Sequence, residues 1–176
     1  TGTLTGGAAV TTDTTGVATF AALSVNRIGS KTLTATSGPI TTTSAAFTVS
    51  HAAAASLAFT TQPSAVVAGI AIAPSVKVTA TDAFGNLVPG ASVALTMTGS
   101  GTLTGGGAVT TDTTGLATFA SLSVDLVGRK TLTATSGSLT ATSTAFTVSP
   151  AAATALAFTT QPSAVVDRKS TRLNSS

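Results

Sequence analysis

The sequence repeats itself at an offset of 99 residues, and this repeat limits the possible folds more than any other feature. Residues 2–7 (GTLTGG) recur as residues 101–106, and 52 of the 66 positions in 2–67 are identical to those in 101–166. Helical solenoid repeats are shorter, at about 20–50 residues, whereas an autonomous β-sandwich domain has about 100. We therefore interpret the chain as a segment of a tandem array of β-sandwich modules.

The repeat divides the chain into modules. Residues 1–50 match the C-terminal half of a module, residues 53–149 make one complete module, and residues 152–166 match the first strand of a third. The linkers, residues 51–55 and 150–154, contain no Gly/Ser tract, so we expect limited bending between modules. We expect the complete module to fold alone and the half-module, residues 1–50, to expose unpaired strand edges and pack poorly.

The tail, residues 167–176, departs from the repeat. It is similar to the translation of a common short-read sequencing adapter, and we interpret it as an artefact that takes no part in the fold. A divergent strand of the third module is the alternative. The formal charge is +3 for the whole chain, but five basic and four acidic residues remain without the tail, or +1. So few dispersed basic residues make no patch, and we expect no nucleic-acid partner.

Alternation of apolar and polar residues predicts an all-β fold. Val76, Val78 and Ala80 lie on one face of a predicted strand, and Gln62-Pro63 interrupts the first strand as at a sheet edge. About seven or eight short strands per module, with turns every 8 to 12 residues, predict tandem immunoglobulin-like antiparallel β-sandwiches. Cys and Trp are absent, which excludes the antibody subgroup with its Cys–Trp–Cys signature.

One predicted strand breaks the alternation. In residues 116–124 (LATFASLSV), Phe119 and Leu122 are three positions apart. Both side chains can face the core only if the chain bulges or bends near residues 120–121.

Several segments resemble a known family. Residues 57–69 (LAFTTQPSAVVAG), 75–86 (SVKVTATDAFGN) and 113–124 (TTGLATFASLSV) are similar to the bacterial Ig-like repeats of large surface and secreted proteins, including invasin/intimin-like adhesin arrays. Residues 82–86 and 115–119 carry most of the likeness. The resemblance implies an extracellular or cell-surface stalk whose partners are neighbouring modules of the same chain. It implies a role in cell adhesion, but no residue specifies an adhesion ligand.

Residue types exclude most enzyme chemistry. The chain has no Cys and no Glu, and its one His, His51, lies in a linker and becomes Pro150 in the next repeat. No set of nucleophile, base and orienting group can be assembled from these residues, so we expect no catalytic site. The longest apolar run, residues 65–74, is about half of the roughly 20 residues that a spanning helix needs, so we expect no membrane insertion in this segment.

Three Asp residues of the complete module are the candidate metal ligands. Ca²⁺ requires six to eight oxygen ligands, and Asp82, Asp112 and Asp125 are not clustered in sequence. Asp125 is also replaced by Asn26 in the preceding repeat. We interpret these residues as turn formers and expect no cofactor, with a calcium site between modules as the alternative.

The end loops offer an alternative function. Phe84 and Asn86 in the 82–86 turn, with the glycine run 105–107, could contact a ligand or carbohydrate. Trp and Tyr, on which sugars usually stack, are both absent. The high identity between repeats favours a non-catalytic structural spacer, and we take the ligand-binding module as the alternative.

Overall fold

The structure, a computed structural model, describes residues 2–164, and this range contains strands but no helix. The all-β prediction is confirmed. Since the described range has no helix, it also has none that could span a membrane. The half-module contributes six of the strands: β1 Leu4–Thr5, β2 Ser24–Val25, β3 Gly29–Lys31, β4 Thr34–Ser37, β5 Ile40–Thr43 and β6 Phe47–Val49.

The complete module is a sandwich of two main sheets. Its strands are β7 Ser56–Thr61, β8 Val66–Val67, β9 Val76–Thr81, β10 Ser92–Thr98, β11 Leu103–Thr104, β12 Val109–Thr110, β13 Leu116–Phe119, β14 Ser123–Val124, β15 Gly128–Ser136, β16 Leu139–Thr142 and β17 Phe146–Ser149. One sheet has the order β12-β10-β15-β17-β8, with β16 also paired to β15, and the other has the order β13-β9-β7. Strands β11 and β14 form a separate pair.

The core lies between the two sheets. In β9 the predicted alternation holds, since Val76, Val78 and Ala80 are fully buried. Leu132 and Ala134 lie on β15 in the opposite sheet. They are also fully buried and belong to the same apolar cluster. Burial of these side chains removes apolar surface from water and is the main term that favours folding of the module.

The first strand changes sheets at the predicted interruption. Strand β7 pairs with β9, whereas β8, after Gln62 and Pro63, pairs with β17 of the other sheet. The β8–β17 pairing is parallel and is an exception to the otherwise antiparallel pairing of the described strands. Proline has no N–H to donate to a ladder, so it fits the point where the chain leaves one sheet for the other. Gln62 stabilises this crossover by accepting a hydrogen bond from Thr144 N at 2.9 Å.

The predicted bend in residues 116–124 is confirmed. Strand β13 ends at Phe119 and β14 begins at Ser123, with a turn at residues 120–121 between them. Phe119 and Leu122 are both buried in the core. Strand β13 pairs with β9, whereas β14 pairs with β11. Because of the break, residues 116–124 therefore contribute a strand to each of two different sheets.

The half-module is less well packed. Its strands form three isolated pairs, β1–β2, β3–β6 and β4–β5, rather than two facing sheets. Phe20 is 37% exposed, whereas its counterpart Phe119 is 2% exposed. Among the described residues of the half-module no strand corresponds to β9, so residues 17–20 pair with no strand and Phe20 stays partly exposed.

The segment predicted as the first strand of a third module forms no strand in its described part, residues 152–164. Its counterpart β7 is held by β9, and no equivalent of β9 lies in the described residues that follow 151. A strand without a ladder partner leaves its backbone groups unpaired, which accounts for the difference. Residues 165–166 and the proposed artefact, residues 167–176, lie outside the described residues. The division into modules stays a prediction.

Candidate functional site

The 82–86 turn (DAFGN) is a closed loop organised by one carboxylate. Asp82 Oδ1 accepts hydrogen bonds from Phe84 N and Asn86 N, both at 2.9 Å. The backbone closes the turn through Asp82 N to Asn86 O at 2.9 Å. Gly85 has φ of +76°, a conformation that glycine adopts without steric cost. The sequence thus encodes an Asx turn, as expected from Asp and Gly at these positions.

Asn86 connects this turn to the half-module. Its Nδ2 donates to Asp82 Oδ2 and to the carbonyl oxygen of Asn26, each at 2.9 Å. Its Oδ1 accepts from Ile28 N at 3.4 Å. Asn86 is only 6% exposed, so these bonds are largely shielded from water. One side chain therefore binds two backbone groups that lie about 60 residues earlier in the chain.

Asp82 fixes the linker on the same side. Its Oδ2 accepts a hydrogen bond from Ala52 N at 3.1 Å, and Ala55 N donates to Thr81 O at 2.7 Å. We call the set formed by the 26–28 loop, Ala52 and the 82–86 turn the joint. It brings together residues from the predicted half-module, the predicted complete module and the predicted linker between them.

The half-module holds its own part of the joint in place. Lys31 Nζ donates to Ile28 O at 2.9 Å, and Thr3 N donates to Asn26 Oδ1 at 2.7 Å. Asn26 and Ile28 therefore present to Asn86 a loop that is already hydrogen-bonded on its inner side. The sequence prediction missed this loop. A signal was present, because residues 26–28 are a run of three consecutive differences between otherwise similar repeats.

The joint carries a negative charge at neutral pH. Burial of Asp82 disfavours its ionised form, but hydrogen bonds from the side chain and backbone of Asn86, from Ala52 N and from Phe84 N outweigh it and lower the pKa to about 2. The carboxylate is thus stabilised as an acceptor for both the linker and its own turn.

The other two calcium candidates lie in separate turns. Asp112 Oδ1 accepts from the hydroxyl and the N–H of Thr114, and these bonds lower its pKa. Asp125 Oδ1 accepts from Thr102 N at 2.6 Å, the first cause of its lowered pKa. Within residues 2–164 no three His, Cys, Asp or Glu side chains are close enough to hold a metal ion together. The structure does not bring Asp82, Asp112 and Asp125 into one site.

The residues considered for ligand contacts are placed differently from one another. Phe84 is 59% exposed, whereas Asn86 is used inside the joint. In the glycine run 105–107, Gly106 O accepts from Leu95 N at 2.8 Å, which fixes the run against β10. His51 is exposed, with its Nδ1 2.9 Å from Ala52 O. Of the two side chains predicted as loop contacts, Phe84 is exposed, whereas Asn86 is largely buried.

Comparison with known proteins gives structural neighbours only. No family model and no curated protein matches the chain. The D00-D0 domain of intimin is similar at 18% identity with a TM-score of 0.43, covering 55% of this chain and 46% of that one. Domains 4 and 5 of the S-layer protein SbsC are similar at 20% identity with a TM-score of 0.42, covering 75% of this chain and 64% of that one.

A larger part of SbsC, domains 4–9 of this surface layer protein, matches at 19% identity with a TM-score of 0.43, covering 77% of this chain and 20% of that one. The chain thus spans less than two thirds of each of these neighbours. Similarity of this degree transfers no functional property to the chain.

Proposed function

We propose that the chain is part of a non-catalytic spacer, a stalk of tandem Ig-like modules in a bacterial cell-surface or secreted adhesin-like protein. The observation that carries the proposal is the pair of hydrogen bonds between the side chain of Asn86 and the backbone, in which Asn86 donates to Asn26 O and accepts from Ile28 N. A largely buried side chain is committed to contact between modules.

The joint restrains the angle between modules. Asn86 holds the 26–28 loop while Asp82 holds Ala52 of the linker, so one turn binds both the preceding half-module and the linker. Each neutral hydrogen bond contributes about 0.5–1.5 kcal/mol net, and bending the linker would break several of them together. A linker of five residues with no Gly/Ser tract adds little freedom of its own.

Length is the second property that suits a spacer. The longest strand, β15, has nine residues, which at a rise of about 3.3 Å per residue gives a module at least about 30 Å long. The reach of an array then grows in proportion to the number of repeats. The resemblance to bacterial Ig-like repeats supports an extracellular location, where such reach would hold a binding domain away from a cell.

The non-catalytic part of the proposal is supported by how the candidate groups are used. Asp82, Asp112 and Asp125 each accept hydrogen bonds in a separate turn, and His51 lies on the linker surface. A catalytic set requires such groups to converge within hydrogen-bond distance of one another.

The test is a distance measurement across the joint. The chain has no Cys, so Thr48→Cys and Ser138→Cys give two unique positions for spin labels, one exposed in each module. We expect a narrow distance distribution in the parent protein and a broad one after Asn86→Ala. Phe84→Ala is the matched control, since it changes an exposed side chain in the same turn and should leave the distribution narrow.

A thermal melt of each variant establishes that the complete module is folded at the temperature of measurement. A broad distribution in the parent protein, or an unchanged one after Asn86→Ala in a folded module, would refute a spacer stiffened by this joint.

The exposure of Phe84 favours the alternative, a ligand-binding end loop. That alternative predicts that Phe84→Ala abolishes binding on a glycan array while the distance distribution stays narrow.

A further inference from the structure

The complete module has a second loop built like the one in the joint. Residues 125–127 occupy the positions of residues 26–28 at the repeat offset of 99 residues. In both loops the first side chain accepts a hydrogen bond from the backbone of a Thr: Thr102 N to Asp125 Oδ1 at 2.6 Å, and Thr3 N to Asn26 Oδ1 at 2.7 Å. The change from Asn to Asp preserves the acceptor oxygen.

A lysine holds the inner side of both loops. Lys130 Nζ donates to Val127 O at 3.3 Å and to Ser100 O, as Lys31 Nζ donates to Ile28 O at 2.9 Å. Lys130 is 2% exposed, so its ammonium group lies inside the module and supports the loop from below. A buried charge is costly unless hydrogen bonds compensate it, and here backbone carbonyls do so. The loop is thereby held in shape from within.

The outer side of the second loop faces solvent. Leu126 and Val127 are each 50% exposed. The groups of the 26–28 loop that Asn86 binds in the joint are backbone groups, the carbonyl of Asn26 and the N–H of Ile28. The differences in side chain at residues 125–127 therefore leave the equivalent bonds possible.

We propose that residues 125–127 form a docking surface for the Asp-x-x-x-Asn turn of a following module of the same kind. The Asn side chain of that turn would donate to Asp125 O and accept from Val127 N, and its Asp would accept from Ala151 N, the counterpart of Ala52. The inference rests on the proposed spacer function. The inference assigns residues 125–127 a single partner, a turn that carries one carboxylate and one carboxamide.

The test adds one more module after residue 164 of the chain. Residues 1–164 are followed directly by residues 66–149, so that Ala164 takes the place of Ala65 and the added copy is in register with the repeat. Amide hydrogen exchange is measured by NMR at Ile28 and at Val127 of the original module, which lies next to the added copy. The Val127 of the added copy is not the residue meant here. We expect exchange at Val127 to be at least about tenfold slower in the extended protein than in residues 1–164, as a new hydrogen bond would require.

Asn86→Ala placed only in the added copy should return Val127 to its faster rate and leave Ile28 unchanged. The comparison of extended and parent proteins needs no substitution, so the test stands even if the variant copy fails to fold. Unchanged exchange at Val127, with slow exchange at Ile28, would overturn the docking surface and leave the proposed function intact. Fast exchange at both amides would overturn both. Protection of Val127 that persists in a folded variant copy would overturn the assignment of the contact to Asn.

Discussion

Phe119 and Phe20 occupy the same position of the repeat but differ in burial, and substituting each of them is the sharpest test of the core packing. Both lie in the sequence Ala-Thr-Phe-Ala, at the same position of the repeat. Phe119 is 2% exposed at the end of β13, where it contributes to the core between the two sheets, whereas Phe20 is 37% exposed. A difference in the effect of substitution must therefore come from tertiary packing and cannot come from local sequence.

We expect Phe119→Ala to destabilise the complete module by about 3–5 kcal/mol, because a buried phenyl ring is lost and a cavity remains. A domain of this size has a total stability of about 5–15 kcal/mol, so the loss is a large fraction of it. At about 4–8 °C per kcal/mol, the midpoint of thermal unfolding should fall by at least about 12 °C. Phe20→Ala should change that midpoint by no more than about 4 °C, since surface substitutions stay within about 0.5 kcal/mol.

Calorimetry and far-UV circular dichroism of the full chain are the appropriate assays, because the chain has neither Trp nor Tyr for fluorescence. A second pair gives an independent reading: Leu122 is fully buried and its counterpart Leu23 is 38% exposed. Equal effects of Phe119→Ala and Phe20→Ala, or a loss below about 1 kcal/mol at Phe119, would refute the two-sheet core described above.

Two further predictions concern acid and backbone conformation. Hydrogen bonds lower the pKa of Asp82 from 3.8 to about 2 in the folded state, so its contribution to stability is present above about pH 4 and lost as the pH falls towards 2. Asp82→Asn should flatten the dependence of the unfolding midpoint on pH between 4 and 2, and an unchanged slope would contradict the hydrogen bonds assigned to this carboxylate. Gly115→Ala should cost at least about 2 kcal/mol in chemical denaturation, since φ is +68° and the new Cβ would lie 2.9 Å from Leu87 Cβ. The matched Gly16→Ala, at φ +84° with nothing within 4 Å, should cost less, and the reverse order would contradict the packing of this turn.

The fold was predictable where the pattern is local. Alternation in β9 placed Val76 and Val78 in the core, and the three-residue spacing of Phe119 and Leu122 predicted the break between β13 and β14. Each of these features depends on neighbours in sequence and on the two-residue period of a strand. The residues 82–86 were predicted as a turn for the same reason, from Asp and Gly at suitable positions.

The joint was not predictable in the same way. Asn86 binds a carbonyl and an N–H from residues about 60 positions away, and every residue offers these same two groups. Side-chain identity at 26–28 therefore says little about the contact. Lys130 was missed for a different reason: it is in phase with Leu132 and so faces inward, but its charge suggests a surface position. Two backbone carbonyls explain its burial, and only the structure places them there.

The parallel pairing of β8 with β17 has a mechanical consequence for a chain under tension. Strand β8 follows the entry of the chain into the complete module, and β17 directly precedes its exit. A pull applied through the linkers draws two parallel neighbours in opposite directions along their length. Their hydrogen bonds, with that from Ala68 N to Ser149 O beside them, are then loaded in shear and must break together, whereas the bonds of a hairpin pulled open at its ends would break one after another.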